Sequence, residues 1–241
     1  MTDARTESAN QRAAAAPGRL VALRTRVRTA AVDAGRDPST VRLLLAAKTM
    51  PTDVVRAAVQ AGADLVGENR VSELVDHAPG LADLRPELHL IGHLQSNKVN
   101  AALRWADCIE TVDSWALAQR ISRRCVAVDR TLDVMVQVNV SGEPTKYGVE
   151  PGDAVNLAVR VAELPRLRLT GVMTIGANTP DVGVVRTGYA RLREVRDTVL
   201  GRVPSARELS MGMSGDIEHA IAEGATIVRA GAAVFGARTP A

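Results

Sequence analysis

The chain has 241 residues, a formal net charge of +3 and a sequence pI near 9.2, with 46% hydrophobic and 24% charged residues. That profile belongs to a globular protein of one large domain or two small ones. With only two Trp, two Tyr and one Phe, an aromatic platform for single-stranded nucleic acid is excluded, and the core falls to Val, Leu, Ile and Ala, as in parallel sheets covered by helices.

Residues 1–16 are polar and Ala-rich and read as a flexible leader; they lack the apolar region of a secretory signal, and Asp3 and Glu7 argue against a transit peptide. A leading helix is expected over Leu20 to Ala34. Its cluster Arg19, Arg24, Arg26 and Arg28 reads as a solvated face rather than a nucleic-acid patch. Eight short apolar runs follow as strands: Val41 to Ala47, Asp64 to Val66, Leu88 to Ile91, Cys108 to Thr111, Val134 to Val140, Leu167 to Met173, Glu208 to Met211 and Thr226 to Arg229. Between them, apolar residues at three-to-four spacing, such as Val54-Val55-Ala58-Val59 and Leu157-Val161-Leu164, predict helices. Pro51 and Pro151 suit first turns, Gly62 and Gly224 suit helix ends, and Asp113-Ser114 suits a cap.

Eight strand–helix units predict an α/β chain closed into a single (β/α)8 TIM barrel over residues 17–241, with a helix in front. A doubly wound open sheet is the weaker alternative, because no GxGxxG follows the first strand. No apolar stretch approaches the roughly 20 residues that span a bilayer. Cys108 and Cys125 form no CxxC or metal-ligand pattern, so a reducing cytoplasm is expected and no metal.

In such a barrel the side chains just past the strand C-termini converge on the active face. Lys48 follows the first strand, and burial there favours the neutral amine that forms Schiff bases with aldehydes. Asn69 follows the second, His93 the third, Ser210-Met211 the seventh, and Arg229-Ala230-Gly231 the eighth. Ser210 to Asp216, with Gly212 and Gly215, is the expected phosphate cradle, and Gly231 adds backbone donors. Each has an ordinary reading: Lys48 as a solvated loop residue, Asn69 as a turn residue, His93 as structural, the glycine-rich segment as a plain turn. Arg229 in an apolar strand is harder to dismiss, since a buried guanidinium demands a carboxylate or a ligand atom. An amine and a phosphate site on one face point to a phosphorylated aldehyde cofactor.

The segments Ala46-Ala47-Lys48-Thr49, Gly67-Glu68-Asn69, Ile91-Gly92-His93-Leu94-Gln95-Ser96-Asn97-Lys98, Gly171 to Ile175, Leu209 to Asp216 and Val228 to Gly231 resemble the pyridoxal 5′-phosphate (PLP) homeostasis proteins of the YggS/PROSC type, relatives of the alanine racemase N-terminal barrel. The resemblance implies a fold-type III PLP barrel without the racemase's second domain. It implies covalent PLP on Lys48, phosphate held by Ser210 and the backbone at Gly231, Arg229 facing the pyridine nitrogen, and Asn69 and His93 in the pocket. Met211 and Ala232 complete the implied cofactor contacts. Ala232 stands where the family usually has Thr, and Leu90 where it often has Phe.

An arginine opposite the ring nitrogen disfavours ring protonation and so weakens the electron sink. The function implied is therefore a non-catalytic PLP carrier for vitamin B6 homeostasis, a cytoplasmic monomer with PLP as ligand and PLP-dependent apoenzymes as partners, and neither membrane nor nucleic acid. The alternative is an amino-acid racemase, which needs a second base opposite the lysine. Tyr147 and Tyr189 are the only tyrosines, and Tyr147, in the Gly142 to Gly148 loop, is the one candidate.

Overall fold

The computed structural model describes residues 8–236. Eight parallel strands follow one another around a closed barrel: β1 (Arg42–Ala46), β2 (Leu65–Glu68), β3 (Glu87–Leu90), β4 (Cys108–Val112), β5 (Leu132–Gln137), β6 (Leu167–Met173), β7 (Glu208–Ser210) and β8 (Ile227–Ala230). β8 closes on β1 with Arg42 opposite Ile227 and Leu45 opposite Ala230, so the open sheet is excluded. Every expected strand is present, with ends moved by at most three residues.

Side chains alternate along each strand, as the two-residue period requires. Leu44, Leu65, Cys108, Met135, Met173 and Ile227 fill the barrel interior, while Leu45, Val66, Leu90, Ile109 and Val134 pack outward under the helices. The helices are α1 (Ala9–Asp33), α2 (Thr52–Gln60), α3 (Val71–Leu81), α4 (Val99–Ala102), α5 (Trp115–Ala127), α6 (Pro151–Ala162), α7 (Val182–Leu200), α8 (Ile217–Ala222) and α9 (Ala232–Phe235). Pro151 opens α6, Ser114 caps α5, and Gly62 (φ 98°) and Gly224 (φ 102°) turn left-handed after α2 and α8.

One expectation is corrected. The leading helix begins at Ala9 rather than near Leu20, so residues 9–16 are helix and not leader; residues 1–7 lie outside the described part. Ser8 and Gln11 form a capping box, alanine carries the first turns, and Arg12 and Ala16 are buried. The reason lies in the barrel. Among the described residues only the single turn α9 follows β8, and α1 covers this side of the barrel, packing on α2, α8 and α9.

Candidate cofactor site

Lys48 stands two residues beyond β1, half-buried at the barrel rim. The next residue, Thr49, has φ 63°, a left-handed conformation that costs a β-branched residue about 1–3 kcal/mol and so must be imposed from around it. Part of that support is visible. The Met50 carbonyl accepts from His77 Nε2 at 2.9 Å, and His77 Nδ1 lies 2.6 Å from Glu68 Oε1 at the end of β2. Both ring nitrogens therefore meet acceptors, and the hydrogen bond to Glu68 raises the His77 pKa. Burial pushes the Glu68 carboxyl up, with His77 opposing.

Across the mouth lie two backbone segments. The first is the turn between β7 and α8. Asp216 accepts the Met213 N–H at 2.6 Å and the Tyr189 hydroxyl at 2.7 Å, so this carboxylate shapes the turn. Gly212 sits at φ 87°, and a Cβ there would meet the Ala220 Cβ at 2.4 Å. The second segment starts α9: a Cβ on Gly231 would come within 2.8 Å of the Ala46 carbonyl oxygen, so backbone here approaches the β1 rim closely.

A cavity of about 300 Å³ joins these parts, lined by Lys48, Asn69, Arg229, Gly231 and Ala232 with Met213, Ser214 and Gly215, and walled by Met50, Ile91, Ile175 and Phe235. Five expected residues thus meet at one cavity. Three do not. His93 is exposed on the rim, its ring stacked on Tyr147 at 3.9 Å and its Nδ1 3.6 Å from Asp113. Met211 is fully buried, its N–H donating to Ile227. Ser210 points into the barrel, where its hydroxyl donates to Glu110 Oε2 at 2.6 Å and accepts from Arg229 Nη1 at 2.8 Å. Its hydroxyl proton is thus engaged inside the barrel, and the 213–215 turn rather than Ser210 lines the cavity.

Arg229, only 4% exposed, also donates from Nη2 to the Thr174 carbonyl at 2.7 Å. Below it a charged chain runs along the barrel axis. Glu110 Oε1 lies 2.6 Å from His89 Nδ1, His89 Nε2 lies 2.8 Å from Glu87 Oε1, and Glu87 Oε2 accepts from Arg42 at 2.5 Å. Burial alone would lower the His89 pKa, but the two carboxylates outweigh it and raise it to about 9. The bond from His89 does most to bring Glu87 down to about 2, and His89 with Arg229 holds Glu110 low against its burial. Sequence reasoning missed Glu87, His89 and Glu110. The signal was a histidine and a glutamate inside otherwise apolar runs, Leu88-His89-Leu90 and Cys108-Ile109-Glu110.

A phosphorylated aromatic aldehyde fits this arrangement. There is an amine at one side, glycine-bearing backbone at the other, a guanidinium at the floor and apolar walls for a ring, in a cavity at the small end of ligand sites. Among the described residues no group of His, Cys, Asp or Glu is placed to hold a metal ion.

Comparison with known proteins agrees. Residues 20–239 match the family model described as alanine racemase, N-terminal domain. The pyridoxal phosphate homeostasis protein of Pseudomonas aeruginosa is 46% identical over 214 residues, covering 88% of this chain and 91% of that one. The protein of the same name from Escherichia coli K12 is 40% identical over 225 residues, 91% of this chain and 95% of its own. Among solved structures, PipY of Synechococcus elongatus with PLP bound superposes with a TM-score of 0.80 at 33% identity, covering 92% of this chain and 100% of PipY. The chain belongs to the pyridoxal phosphate homeostasis protein family, built on the alanine racemase N-terminal barrel.

Proposed function

We propose that the chain binds PLP reversibly in the cavity beside Lys48, supplies or buffers it for PLP-dependent apoenzymes, and performs no turnover of its own. Bound PLP supplies an electrophilic aldehyde and a pyridine ring whose electron-withdrawing strength rises on protonation. Lys48 is the nucleophile for covalent capture, and the Ser214, Gly215, Gly231 and Ala232 backbone takes the phosphate. Arg229, cationic and a donor only, disfavours a proton on the ring nitrogen. Asn69, on the cavity lining, would contact the bound group.

The observation that carries the non-catalytic reading is the lining itself. Among the described residues around the cavity, Lys48 is the one side chain suited to moving a proton near neutral pH; there is no Tyr, His, Asp, Glu or Cys. Racemisation requires a second base on the opposite face. Tyr147, the single candidate, does not line the cavity and stacks on His93 instead, while the Tyr189 hydroxyl is committed to Asp216. The relatives' names support a homeostatic role, and PipY's bound PLP supports the ligand. Among the described residues no helix is long and apolar enough to cross a membrane.

The test uses the full chain loaded with PLP. Mixed with a PLP-dependent apoenzyme it should restore that enzyme's activity, and incubated with single L-amino acids it should form no D-isomer. Sustained racemisation, or failure to retain PLP through gel filtration, contradicts the proposal.

A further inference from the structure

The two backbone segments assigned to the phosphate share a feature: neither is stiff by itself. The 213–215 turn joins a three-residue strand to a six-residue helix, between Gly212 and Gly215, and its internal brace is the Asp216 bond to the Met213 N–H. The second segment opens a four-residue helix, far too short to be stable alone.

Both are held from outside by α1. Arg26 Nη1 donates to the Ser214 carbonyl at 2.8 Å, while its Nε and Nη2 bind both carboxylate oxygens of Glu218 on α8 at 2.6 and 2.7 Å. Arg12, only 6% exposed, donates from Nη1 to the Phe235 carbonyl at 2.5 Å, the last carbonyl of α9. Neither arginine lines the cavity. Two of the four arginines expected to be a solvated face are thus cross-links, Arg26 and also Arg24, which donates to the Gly62 carbonyl at 2.6 Å.

The Ser214 carbonyl and the Gly215 N–H belong to one peptide unit. A guanidinium on the carbonyl polarises that unit and strengthens its N–H as a donor, in addition to fixing its direction. Among the described residues the N–H groups of Ser214 and Gly215 have no protein acceptor, so both remain for an anion.

We infer that α1 sets the protein's grip on the phosphate arm of its ligand, with Arg26 and Arg12 as positioning residues that act through the Ser214 and Phe235 carbonyls. The inference rests on the PLP reading above and deepens it: affinity for the phosphate, and selectivity against the unphosphorylated vitamer, are set from the helix at the front of the chain.

The experiment measures dissociation constants of PLP and of pyridoxal, which lacks the phosphate, for the full-length parent and for Arg26→Gln, with thermal midpoints as a folding control. Loss of one charge-assisted bond behind the cradle should weaken PLP about tenfold and leave pyridoxal within about twofold. Arg26→Lys, which keeps a donor for the Ser214 carbonyl, should recover most of that loss. Arg12→Lys should weaken PLP less than Arg26→Gln, again without touching pyridoxal. Equal weakening of both vitamers in Arg26→Gln would mark a merely structural residue and overturn the inference, as would unchanged PLP affinity. If the parent binds pyridoxal and PLP equally, the phosphate cradle itself is wrong; if it binds neither, the proposed function falls and this inference with it.

Discussion

The two mouths of the barrel are made from the ends of the same eight strands, yet they treat charge in opposite ways. At the N-terminal mouth a cavity of about 410 Å³ is ringed by Arg42, Glu87, Asp133, Arg168, Arg207 and Glu208. Two of its cations meet two of its carboxylates: Arg42 pairs with Glu87 at 2.5 Å and Arg168 with Asp133 at 2.5 Å. At the C-terminal mouth the charged groups of the lining are Lys48 and Arg229, and no carboxylate is among the described residues there. The larger cavity is electrostatically closed, and the smaller one is open to an anion.

The axial chain from Arg42 to Arg229 links the two mouths, and breaking it gives the largest expected effect. Glu110→Ala would strand protonated His89 and Arg229 in the barrel interior. Removing one partner of a buried pair costs about 3–5 kcal/mol, so chemical denaturation should show a loss of that size. A loss below about 1 kcal/mol would mean the chain contributes little.

The same chain sharpens the comparison through pH. His89 titrates near 9 in the fold against 6.5 for the ordinary group, so its contribution is complete below about pH 6.5 and is lost as pH rises through 9. Glu87 is depressed to about 2, so its share is present above about 4.5 and is lost as pH falls through 2. Denaturant midpoints should hold steady from pH 5 to 6.5 and then decline towards pH 9, by up to about 3 kcal/mol from His89. A midpoint that climbs over pH 7 to 9 would contradict the network.

At the open mouth, Ala232→Thr adds a hydroxyl to the cavity lining. A hydrogen bond to a charged group contributes about 1.5–3 kcal/mol, so PLP should bind tenfold tighter or more, read by equilibrium titration, while pyridoxal stays put. Unchanged affinity would place Ala232 away from the phosphate. The smallest effect belongs to the closed mouth: Arg168, whose side chain is 63% exposed, should cost less than about 1 kcal/mol on replacement by Ala and leave PLP binding alone.

Much of this organisation was legible before any coordinates. The eight aliphatic runs announced the barrel, because few aromatics and strict alternation leave little else to build. Lys48, Asn69, Arg229 and Gly231 followed from the rule that strand C-termini face the site. That rule reads chain position and not side-chain direction, which is why it did not foresee that the Ser210 and His93 side chains stand off the cavity lining. Ser210 is inside β7 with its side chain on the interior face, and its partner Glu110 lies 100 residues earlier, adjacent only once the barrel closes. His93 stacks on Tyr147 and lines a neighbouring cavity that shares Asn69 with the first. The start of α1 was hidden for a related reason: residues 9–16 show no apolar period, and what orders them is alanine propensity plus contact with α9, an element more than 200 residues away.

The central claim is that Lys48 is where the ligand becomes attached. The most direct measurement is borohydride reduction of the PLP-loaded chain followed by peptide mapping. A single reduced pyridoxyl adduct on Lys48, absent from Lys48→Ala, is the predicted result. An adduct on Lys98 or Lys146, or the same stable adduct retained in Lys48→Ala, would contradict the account.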